Sequence, residues 1–426
     1  MEKSKKNLNV PNLRFPGFEG EWKVMKLEEV MDFKVTNSFS RENLNYENGT
    51  VKNIHYGDIH TKFQTLFDIA TETVPFINEK INIDRISDEN YCKEGDVIFA
   101  DASEDLNDVG KSIEVINVNG EKLLSGLHTL LARSKENIFY LGFKGYLFKS
   151  NQVRTQIQKE SQGSKVLSIN VGRISKIELS FPSIQEQKRI TALLSLLDKR
   201  IQTQNKIIQR LESLMQGLRE RIFKQQIRFR DENGKCFPDW RVNKLGDVCE
   251  IAKSGGTPRS TNKEYYEGDI PFLSISDMTS QGKYLIYTTN SISQLGLDNS
   301  SSWIVPVNSI IYSMYASVGF VAINRIPLAT SQAVLNLILE TNINIEFVYY
   351  HLVEFQKKVA KFITTGTQGN LNAETVKGFE IPIPSLTEQN KITSFLSSID
   401  QKIQTEKVIL KQLEKQKKYL LQQMFI

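Results

Sequence analysis

A segment of 42 residues occurs twice in this chain, and its pattern constrains the fold more than any other feature of the sequence. Pro182–Phe223 aligns without gaps to Pro384–Phe425, 202 residues later, with 17 of 42 positions identical. Apolar residues recur in each copy at alternating steps of four and three, which is the heptad seam of a coiled coil. Each copy opens with a capping-box pattern after a proline, Ser183–Glu186 and Ser385–Glu388. Each copy is therefore predicted to form one long helix.

The two predicted helices carry matching apolar seams, each interrupted by one polar residue at the same layer, Gln204 and Glu406. A polar layer of this kind can fix the register of a coiled coil. At about 1.5 Å per residue, such a helix would be roughly 63 Å long. An ordinary amphipathic helix packed on its own domain is the alternative, but two matched copies favour pairing with each other, in antiparallel orientation. The seam positions are Ile190, Leu194, Leu197, Ile201, Ile208, Leu211, Met215, Leu218 and Ile222 in the first copy, and Ile392, Leu396, Ile399, Ile403, Leu410, Leu413, Leu420 and Met424 in the second.

A shorter repeat marks the start of two further segments. Glu21–Val30 and Asp239–Val248 share Trp, Val, Lys, Leu and a final Val in register, 218 residues apart. Two repeats with different offsets indicate two similar halves, each a variable module followed by a long helix. The predicted division is 1–181 and 231–383 for the modules, with 182–230 and 384–426 for the helical segments.

The variable modules, 20–181 and 238–383, have the pattern of mixed α/β domains. Short β-rich runs alternate with loops of Gly, Asn, Asp and Ser, and a helical segment precedes each long helix. The predicted strands are Asp96–Ala100, Ile113–Val118, Ser309–Tyr312 and Val334–Leu339, and the predicted helices are Ile138–Glu160 and Ile345–Ile363.

Composition narrows the class of protein and its compartment. Hydrophobic residues make up 40% and charged residues 24% of the 426, which excludes a disordered chain. No apolar run approaches the roughly 20 residues of a membrane span, and the start lacks an apolar signal core. Three cysteines without a C-x-x-C pair exclude a disulfide scaffold and a zinc ribbon, so a cytoplasmic protein is expected.

The net charge of +5 is unevenly distributed along the chain. Residues 184–230 hold 11 Lys/Arg and 4 Asp/Glu, and residues 385–426 hold 7 and 4, so these segments sum to +10. The rest of the chain therefore sums to −5. The mild basicity belongs to the predicted helices, and it is weak support for nucleic-acid binding by the modules.

The common sequence motifs of catalytic sites are incomplete or absent in this chain. Asn107–Ser112 ends like a phosphate-binding Walker loop, but Asp105 stands where that loop needs glycine. No Pro-Pro pair occurs to hold a flipped base, and Pro238-Asp239 is followed by no nuclease-type E-x-K or D-x-K within the next few dozen residues. The four histidines have no metal-ligand spacing, and His55 and His60 are interpreted as loop or strand residues that could still donate to a base or phosphate. The chain is predicted to bind and position rather than catalyse, with neither metal nor cofactor of its own.

Polar loops are the places where binding is most plausible. The run Ser254, Gly255, Gly256, Thr257 is rich in hydrogen-bond donors and leads to Arg259, which lies 218 residues after Arg41. Arginine can read guanine with two hydrogen bonds or grip a phosphate, and loop amides and hydroxyls commonly contact phosphates. A solvated turn is the alternative for any single loop. Further candidates for DNA binding follow the helical segments, namely Ser164 and Lys165 in the first half and Thr367, Gln368 and Asn370 in the second. Trp22 and Trp240 are assigned to the core.

These residues resemble a known family, the DNA specificity subunits of type I restriction–modification systems. The resemblance rests on the E/D-W-K/R-V-x-K-L repeat at each module start, on S-G-G-T-P-R at Ser254–Arg259, and on P-S-x-x-E-Q at Pro182 and Pro384. It covers nearly the whole chain, in motif order and in duplication. The first module departs from the pattern, because Asn37–Arg41 (NSFSR) stands where the second has Gly255–Arg259 (GGTPR).

The resemblance implies an α+β protein in which two target recognition domains each read one half of an asymmetric, interrupted DNA site. Two long helices would form an antiparallel coiled-coil spacer between them. Two modification subunits would bind S-adenosylmethionine and methylate adenine, and two restriction subunits would use ATP and Mg²⁺ for translocation and cleavage in host defence. This chain would be catalytically silent and would not touch a membrane. The alternative is a coiled-coil scaffold whose modules bind proteins.

Overall fold

The two repeated segments are continuous α-helices in a computed structural model of the chain, which describes residues 9–362 and 370–426. The first long helix spans Ile184–Phe223 and the second long helix spans Leu386–Gln423. Every predicted seam residue is buried or half-buried, and Gln204 is only 8% exposed. The prediction of two long helices with apolar seams is confirmed.

The chain divides into two compact units, Met1–Asn205 with Val408–Ile426 and Lys206–Lys407. Each long helix therefore contributes one part to each unit. In the first unit, Asp198 near the start of one helix lies 2.5 Å from Lys417 near the end of the other. In the second unit, Glu212 lies 2.7 Å from Lys407. Within each unit the helix segments run antiparallel, as predicted.

The capping boxes form only in part. The backbone N–H of Glu186 lies 3.5 Å from the Ser183 hydroxyl, and that of Glu388 lies 3.4 Å from the Ser385 hydroxyl. The two glutamate side chains do not return to the cap, because their carboxylates accept hydrogen bonds from Arg14 and Arg228. The expectation of complete capping boxes was wrong, since a more distant arginine competes for each carboxylate.

The first module is built around a five-stranded sheet and a four-stranded sheet. The first sheet has the order Met31–Lys34, Thr129–Ser134, Val97–Ala100, Ser112–Asn117 and Leu66–Asp68, and the second has Lys122–Ser125, Val51–Ile54, Phe76–Ile77 and Leu44–Asn45. Two short ladders pair Lys23–Lys26 with Glu178–Phe181 and Leu167–Ser168 with Ala102–Ser103. The helices are Leu27–Val30, Tyr56–Thr61, Phe143–Leu147, Asn151–Glu160 and Val171–Ile174, with 3-10 turns at Arg41–Asn43 and Asp88–Asn90.

The second module repeats this plan. Its five-stranded sheet has the order Cys249–Ser254, Val334–Leu339, Ile310–Ser313, Val321–Asn324 and Tyr284–Leu285, beside a sheet of Asn290–Ile292, Tyr266–Leu273 and Ala329–Thr330. Arg241–Lys244 pairs with Glu380–Ile383. The helices are Ile275–Gln281, Gln294–Asp298, Ile345–Val359 and Ala373–Lys377, with 3-10 turns at Leu245–Val248, Lys263–Tyr265 and Ala360–Phe362.

The two five-stranded sheets have the same internal pattern. In each, the first four strands pair antiparallel and the fifth strand joins the edge in parallel. The internal duplication inferred from the sequence is therefore a duplication of fold. The four predicted strands are also confirmed, to within one or two residues at their ends.

The helical segments before the long helices differ from the prediction. Ile138–Glu160 is not one helix but two, and the first begins only at Phe143 because Gly142 has the left-handed conformation (φ 90°). In the second module Ile345–Val359 is helical as predicted and then tightens into a 3-10 turn. Ile363, the predicted last residue, lies outside the described residues.

The core of each unit closes around a buried tryptophan, as predicted. Trp22 is 3% exposed and packs edge-on against Phe425 at a ring distance of 6.2 Å. Trp240 is 8% exposed and contacts Phe223 and Phe347 in the same manner. Among the helices of residues 9–362 and 370–426, none combines the length and hydrophobicity that crossing a membrane requires.

Candidate nucleic-acid interface

In the second module, the predicted loops meet at one end of the five-stranded sheet. The loop after Cys249–Ser254 contacts the segment that leads into Val334–Leu339, since Thr257 Oγ1 donates to Gln332 Oε1 at 2.7 Å. The chain after Asn370 reaches the same end, where the Leu371 amide donates to the Met314 carbonyl at 2.9 Å. Three segments that are distant in sequence thus form one polar surface.

The first module brings its predicted residues to the equivalent place. Ser164 and Lys165 are exposed in the loop before Leu167–Ser168, a strand that pairs with Ala102–Ser103. The Ile169 amide donates to the Asp101 carbonyl at 2.8 Å, matching the bond from Leu371 to Met314 in the second module. Of the second module's candidates, Asn370 is half-buried, and Thr367 and Gln368 lie outside the described residues.

The glycines of the second module serve packing. Gly255 and Gly256 are buried, and a Cβ atom at Gly255 would lie 1.9 Å from the Thr330 carbonyl oxygen. A Cβ atom at Gly256 would lie 2.1 Å from Ser301 Oγ, and its amide already donates to Thr330 at 2.9 Å. The Gly256 amide is therefore engaged inside the protein. These glycines bring the loop close to the sheet, so that Thr257 and Arg259 stand exposed beyond it.

Arg41 and Arg259 are not equivalent, although they have the same offset as the module repeat. Arg41 forms a two-point fork onto Asp58, with bonds of 2.9 and 2.7 Å, while its side chain stays 45% exposed. Burial opposes the ionisation of Asp58, but hydrogen bonds from Arg41 and Lys62 hold its pKa below the usual value. Arg259 is exposed, and its guanidinium has no hydrogen bond or ion pair with any residue of 9–362 and 370–426.

The reason for this difference lies in the short helix that follows in each module. Asp58 and Asp277 are both the third residue of that helix, and both are buried. Asp277 is satisfied by the hydroxyls of Ser274 at 2.7 Å and Thr289 at 2.5 Å, so it needs no arginine. Arg259 therefore remains available for an external anion or base edge.

Sequence reasoning missed several residues of this surface. Tyr56 and His128 lie on it in the first module, and Gln332 lies on it in the second. Interpreting His60 as a loop or strand residue was wrong, because it lies within the helix Tyr56–Thr61, with His55 as the N-cap. The sequence did contain a recurring signal for this short helix. In both modules an aspartate is followed directly by a large apolar residue, as Asp58-Ile59 and Asp277-Met278, and all four residues are buried.

Each module is fixed to its long helix by a tyrosine–aspartate contact at equivalent positions. Tyr146 donates to Asp198 at 2.9 Å, and Tyr350 donates to Asp400. Burial raises the pKa of both tyrosines, with the aspartate charge adding to it. Lys283, from the second module, lies 3.4 Å from Asp400 and supplies the positive charge there. The surface is therefore attached to its helix by directional hydrogen bonds as well as apolar packing.

The surface offers hydrogen-bond donors and cations but no constellation for metal chemistry. Within residues 9–362 and 370–426, no group of three or more His, Cys, Asp or Glu side chains is arranged to hold a metal ion. The arrangement suits recognition of a polar, negatively charged partner.

Comparison with known proteins shows that both modules match the same family model. The family model for the type I restriction modification DNA specificity domain matches residues 19–213 and 238–415. The chain is 34% identical over 197 residues to the type I restriction enzyme MjaIX specificity subunit of Methanocaldococcus jannaschii, a match that covers 45% of each chain. It is 25% identical over 419 residues to the HindI specificity subunit of Haemophilus influenzae, covering 78% of this chain and 90% of that one.

Solved structures share the fold at low sequence identity. The S subunit of a type I restriction–modification system from M. genitalium has a TM-score of 0.59 and 16% identity, covering 98% of this chain and 99% of that one. A chain from a study of complex assembly in the type I system has a TM-score of 0.56 and 16% identity, covering 96% and 98%. The architecture of two modules and two long helices is thus one that known proteins adopt.

Proposed function

The chain belongs to the type I restriction modification DNA specificity family, and from that premise we propose that its two modules read the two halves of an asymmetric, interrupted DNA site. One observation supports this most strongly: the same sheet plan occurs twice, with different side chains at the same end. Two readers of one fold and unlike surface chemistry fit two unlike half-sites. The recognition domains would be residues 1–181 and 231–383.

Direct readout in the second module is assigned to its exposed donors. Arg259 presents an unengaged guanidinium beyond the packed glycines, and Thr257 is held beside it through Gln332. An arginine fork can discriminate guanine by about 1–3 kcal/mol per base. The hydroxyl and amide groups nearby suit contacts to phosphates or to adenine edges.

The distribution of charge favours DNA contact through a limited surface of each module over contact through a generally basic protein surface. The segments that contain the long helices carry +10, and the remainder of the chain carries −5. Binding should still weaken with salt, because each neutralised phosphate releases about 0.9 counterion from duplex DNA. A small number of placed arginines and lysines would account for that dependence.

The long helices, within 182–230 and 384–426, are proposed to set the gap between the half-sites and to dock partner subunits. Two modification subunits would supply S-adenosylmethionine and methylate adenine, and two restriction subunits would supply ATP- and Mg²⁺-dependent cleavage. A flipped adenine costs a few kcal/mol of unpairing, which the modification subunits would offset through their own pocket. This chain would direct those activities in the cytoplasm without catalysing a step.

The proposal is tested with purified full-length chain, an adenine methyltransferase subunit of the same system, and DNA containing many sites. Labelled methyl groups should enter DNA only when both proteins are present, and only at one bipartite sequence. Methyl transfer or cleavage by this chain alone would make it an enzyme and overturn the proposal. A stable protein complex without sequence preference would favour the scaffold alternative.

A further inference from the structure

Three of the four histidines in the chain gather around one tyrosine, at the end of the first module where the loop candidates Ser164 and Lys165 lie. The His55 ring lies tilted against the Tyr56 ring at a centroid distance of 4.6 Å, and His128 and His60 meet the same ring edge-on at 5.3 and 6.0 Å. Arg41 adjoins them, since its positive charge helps to lower the pKa of His55, after the larger effect of burial. We call Arg41, His55, Tyr56, His60 and His128 the histidine patch.

We propose that the histidine patch is the DNA-contacting centre of the first module and that it takes hydrogen-bond acceptors of duplex DNA. This inference rests on the proposed function and adds the residues that the polar loops alone did not supply. The acceptors in question are phosphate oxygens or the O6 and N7 atoms of guanine, which the experiment below distinguishes.

The imidazoles are held in defined orientations by the protein. His128 places Nδ1 3.2 Å from the Asp101 carboxylate, and His60 Nε2 lies 3.1 Å from the Ala102 carbonyl, which can only accept. His55 accepts the Gly57 amide at Nδ1, at 3.1 Å. A histidine whose one nitrogen is committed to the protein presents the other in a fixed direction.

Exposure separates this arrangement from ordinary packing. The His128 side chain is 51% exposed, and Arg41 keeps nearly half of its surface although two of its nitrogens bind Asp58. Arginine carries five N–H donors, so the fork onto Asp58 does not exhaust them. His128 also has a left-handed backbone (φ 54°), which is uncommon for a residue other than glycine. His55 is buried at 7% exposure and supports the patch from beneath, while Arg41 and His128 are the members that solvent reaches.

Charged residues lie next to the histidine patch but do not cover it. Asp58 is buried beneath Arg41 and is shared with Lys62 at 2.9 Å, and Asp101 is bound to His128. Asp58 is therefore paired with two cations, Arg41 and Lys62, and Asp101 is in contact with the His128 imidazole. The solvent-exposed donors of the patch are the remaining N–H groups of Arg41 and the His128 imidazole, and these suit an anionic partner, whereas His55 and the Nδ1 atom of His60 are buried.

The second module lacks the histidine patch at the equivalent positions. Ser274 replaces His55 as the N-cap of the short helix. Ala333 replaces His128, since its carbonyl accepts the Met314 amide just as the carbonyl of His128 accepts the Asp101 amide. The two modules are thus expected to read DNA with different chemistry. The first offers imidazole, phenol and a guanidinium tethered to Asp58, and the second offers a guanidinium without a carboxylate partner, hydroxyl and amide groups.

The test uses full-length chain with its methyltransferase subunits and maps methylated adenines by sequencing. His128→Ala, which installs the residue of the second module, and Tyr56→Ala are compared with Arg259→Ala. The histidine-patch variants should relax or weaken one half of the motif about tenfold or more, while Arg259→Ala affects the other half. The unaffected half is the internal control in each sample.

The pattern of loss identifies the acceptor. Relaxation at one or two base positions indicates contact with guanine. Uniform weakening indicates contact with phosphate when the slope of the log DNA-binding constant against log salt concentration is also smaller by about one. Methylation of the unchanged motif at unchanged efficiency by both variants would overturn the inference, while the proposed function would stand if Arg259→Ala still acted. Thermal unfolding checks each variant, and His128→Gln, which keeps size and polarity, repeats the test if His128→Ala is unstable. If the wild-type complex methylates no specific sequence, the proposed function itself fails.

Discussion

Arg14 holds the buried carboxylate of Glu186 in a two-point fork, with Nε 2.8 Å from Oε1 and Nη2 2.7 Å from Oε2. Arg228 repeats the contact on Glu388 at 3.0 and 3.3 Å in the other unit. Each arginine precedes the short repeat at the start of a module, Glu21–Val30 or Asp239–Val248, and each glutamate lies in the first turn of the long helix that follows the module. The pairs therefore join the two ends of each module to one another.

Removing one partner of this pair should destabilise the unit that contains it. Arg14→Met leaves the carboxylate of Glu186 buried without its cation, and loss of a buried partner costs about 3 kcal/mol or more. Calorimetry should show the first unit unfolding at lower temperature. Arg228→Met is the matched variant for the second unit, and stability unchanged in both variants would contradict a closing role for the pairs.

Phe425 should matter to the first module although it lies 403 positions after Trp22 in the chain. Its ring meets Trp22 at 6.2 Å and Phe143 at 5.7 Å in the core of the first unit. Phe425→Ala should cost about 3–5 kcal/mol through lost burial and a cavity. Hydrogen exchange should report faster opening of the first module. Phe223→Ala is the counterpart for the second unit, and equal loosening of both units by either variant would contradict separate cores.

Stability should depend on pH through Lys149. Burial, with the nearby charge of Lys417, lowers the pKa of Lys149 to about 7, and the ammonium group donates a hydrogen bond to the Thr65 hydroxyl at 2.6 Å. Between about pH 7 and 10 the unfolded chain binds the proton that the folded chain has released, so stability rises with pH across that window. Below pH 7 both states hold the proton and the dependence ends.

The control for this pH dependence is Lys149→Met, which keeps length and removes the charge. Melting temperatures measured from pH 6 to 9 should rise less in the variant than in the wild-type chain. Parallel curves for the two proteins would exclude Lys149 as the source.

Arg259→Ala should impair recognition of one half-site and leave the fold intact. Its side chain is exposed and forms no ion pair with the described residues, so unfolding should change by less than about 0.5 kcal/mol. Loss of a guanine contact costs about 1–3 kcal/mol in discrimination. Methylation by the complex, measured on a panel of single-base variants, reports this. Undiminished discrimination at every position would remove Arg259 from the reading surface.

Lengthening both long helices should lengthen the gap in the DNA site. Seven residues inserted after Asn205 and after Lys407, where each helix leaves one unit and enters the other, keep the heptad phase and add about 10 Å. At about 3.4 Å per base pair, the gap should grow by about three base pairs. Methylated-site sequencing measures it, and an active variant with the original gap would contradict a spacer role.

The sequence predicted features that depend on local periodicity. The two apolar seams, which begin at Ile190 and at Ile392, follow from heptad spacing. Such spacing places the apolar side chains on one face of a helix, and that face must be buried whatever the helix packs against. Trp22 and Trp240 were assigned to the core correctly, although the short strand that follows each of them is mostly exposed. The duplication also predicted the repeated sheet plan, since similar patterns fold alike.

Features that depend on distant partners were not predictable in the same way. The carboxylate of Glu186 has a nearby cap available and an arginine 172 residues away, and the arginine is its partner. Arg41 and Arg259 look equivalent in sequence, yet Asp58 engages one and hydroxyls satisfy Asp277. Gly255 is explained by Thr330, which only the folded sheet brings beneath it. Such pairings arise from tertiary packing and not from spacing.

The most direct test of the two-reader account is to map methylated adenines in a genome that expresses this chain with its methyltransferase subunits, against the same genome without this chain. The account predicts one motif of two defined, unlike halves separated by an undefined gap of constant length, and its complete loss without the chain. A single continuous motif, or an identical methylation pattern in the absence of this chain, would contradict it.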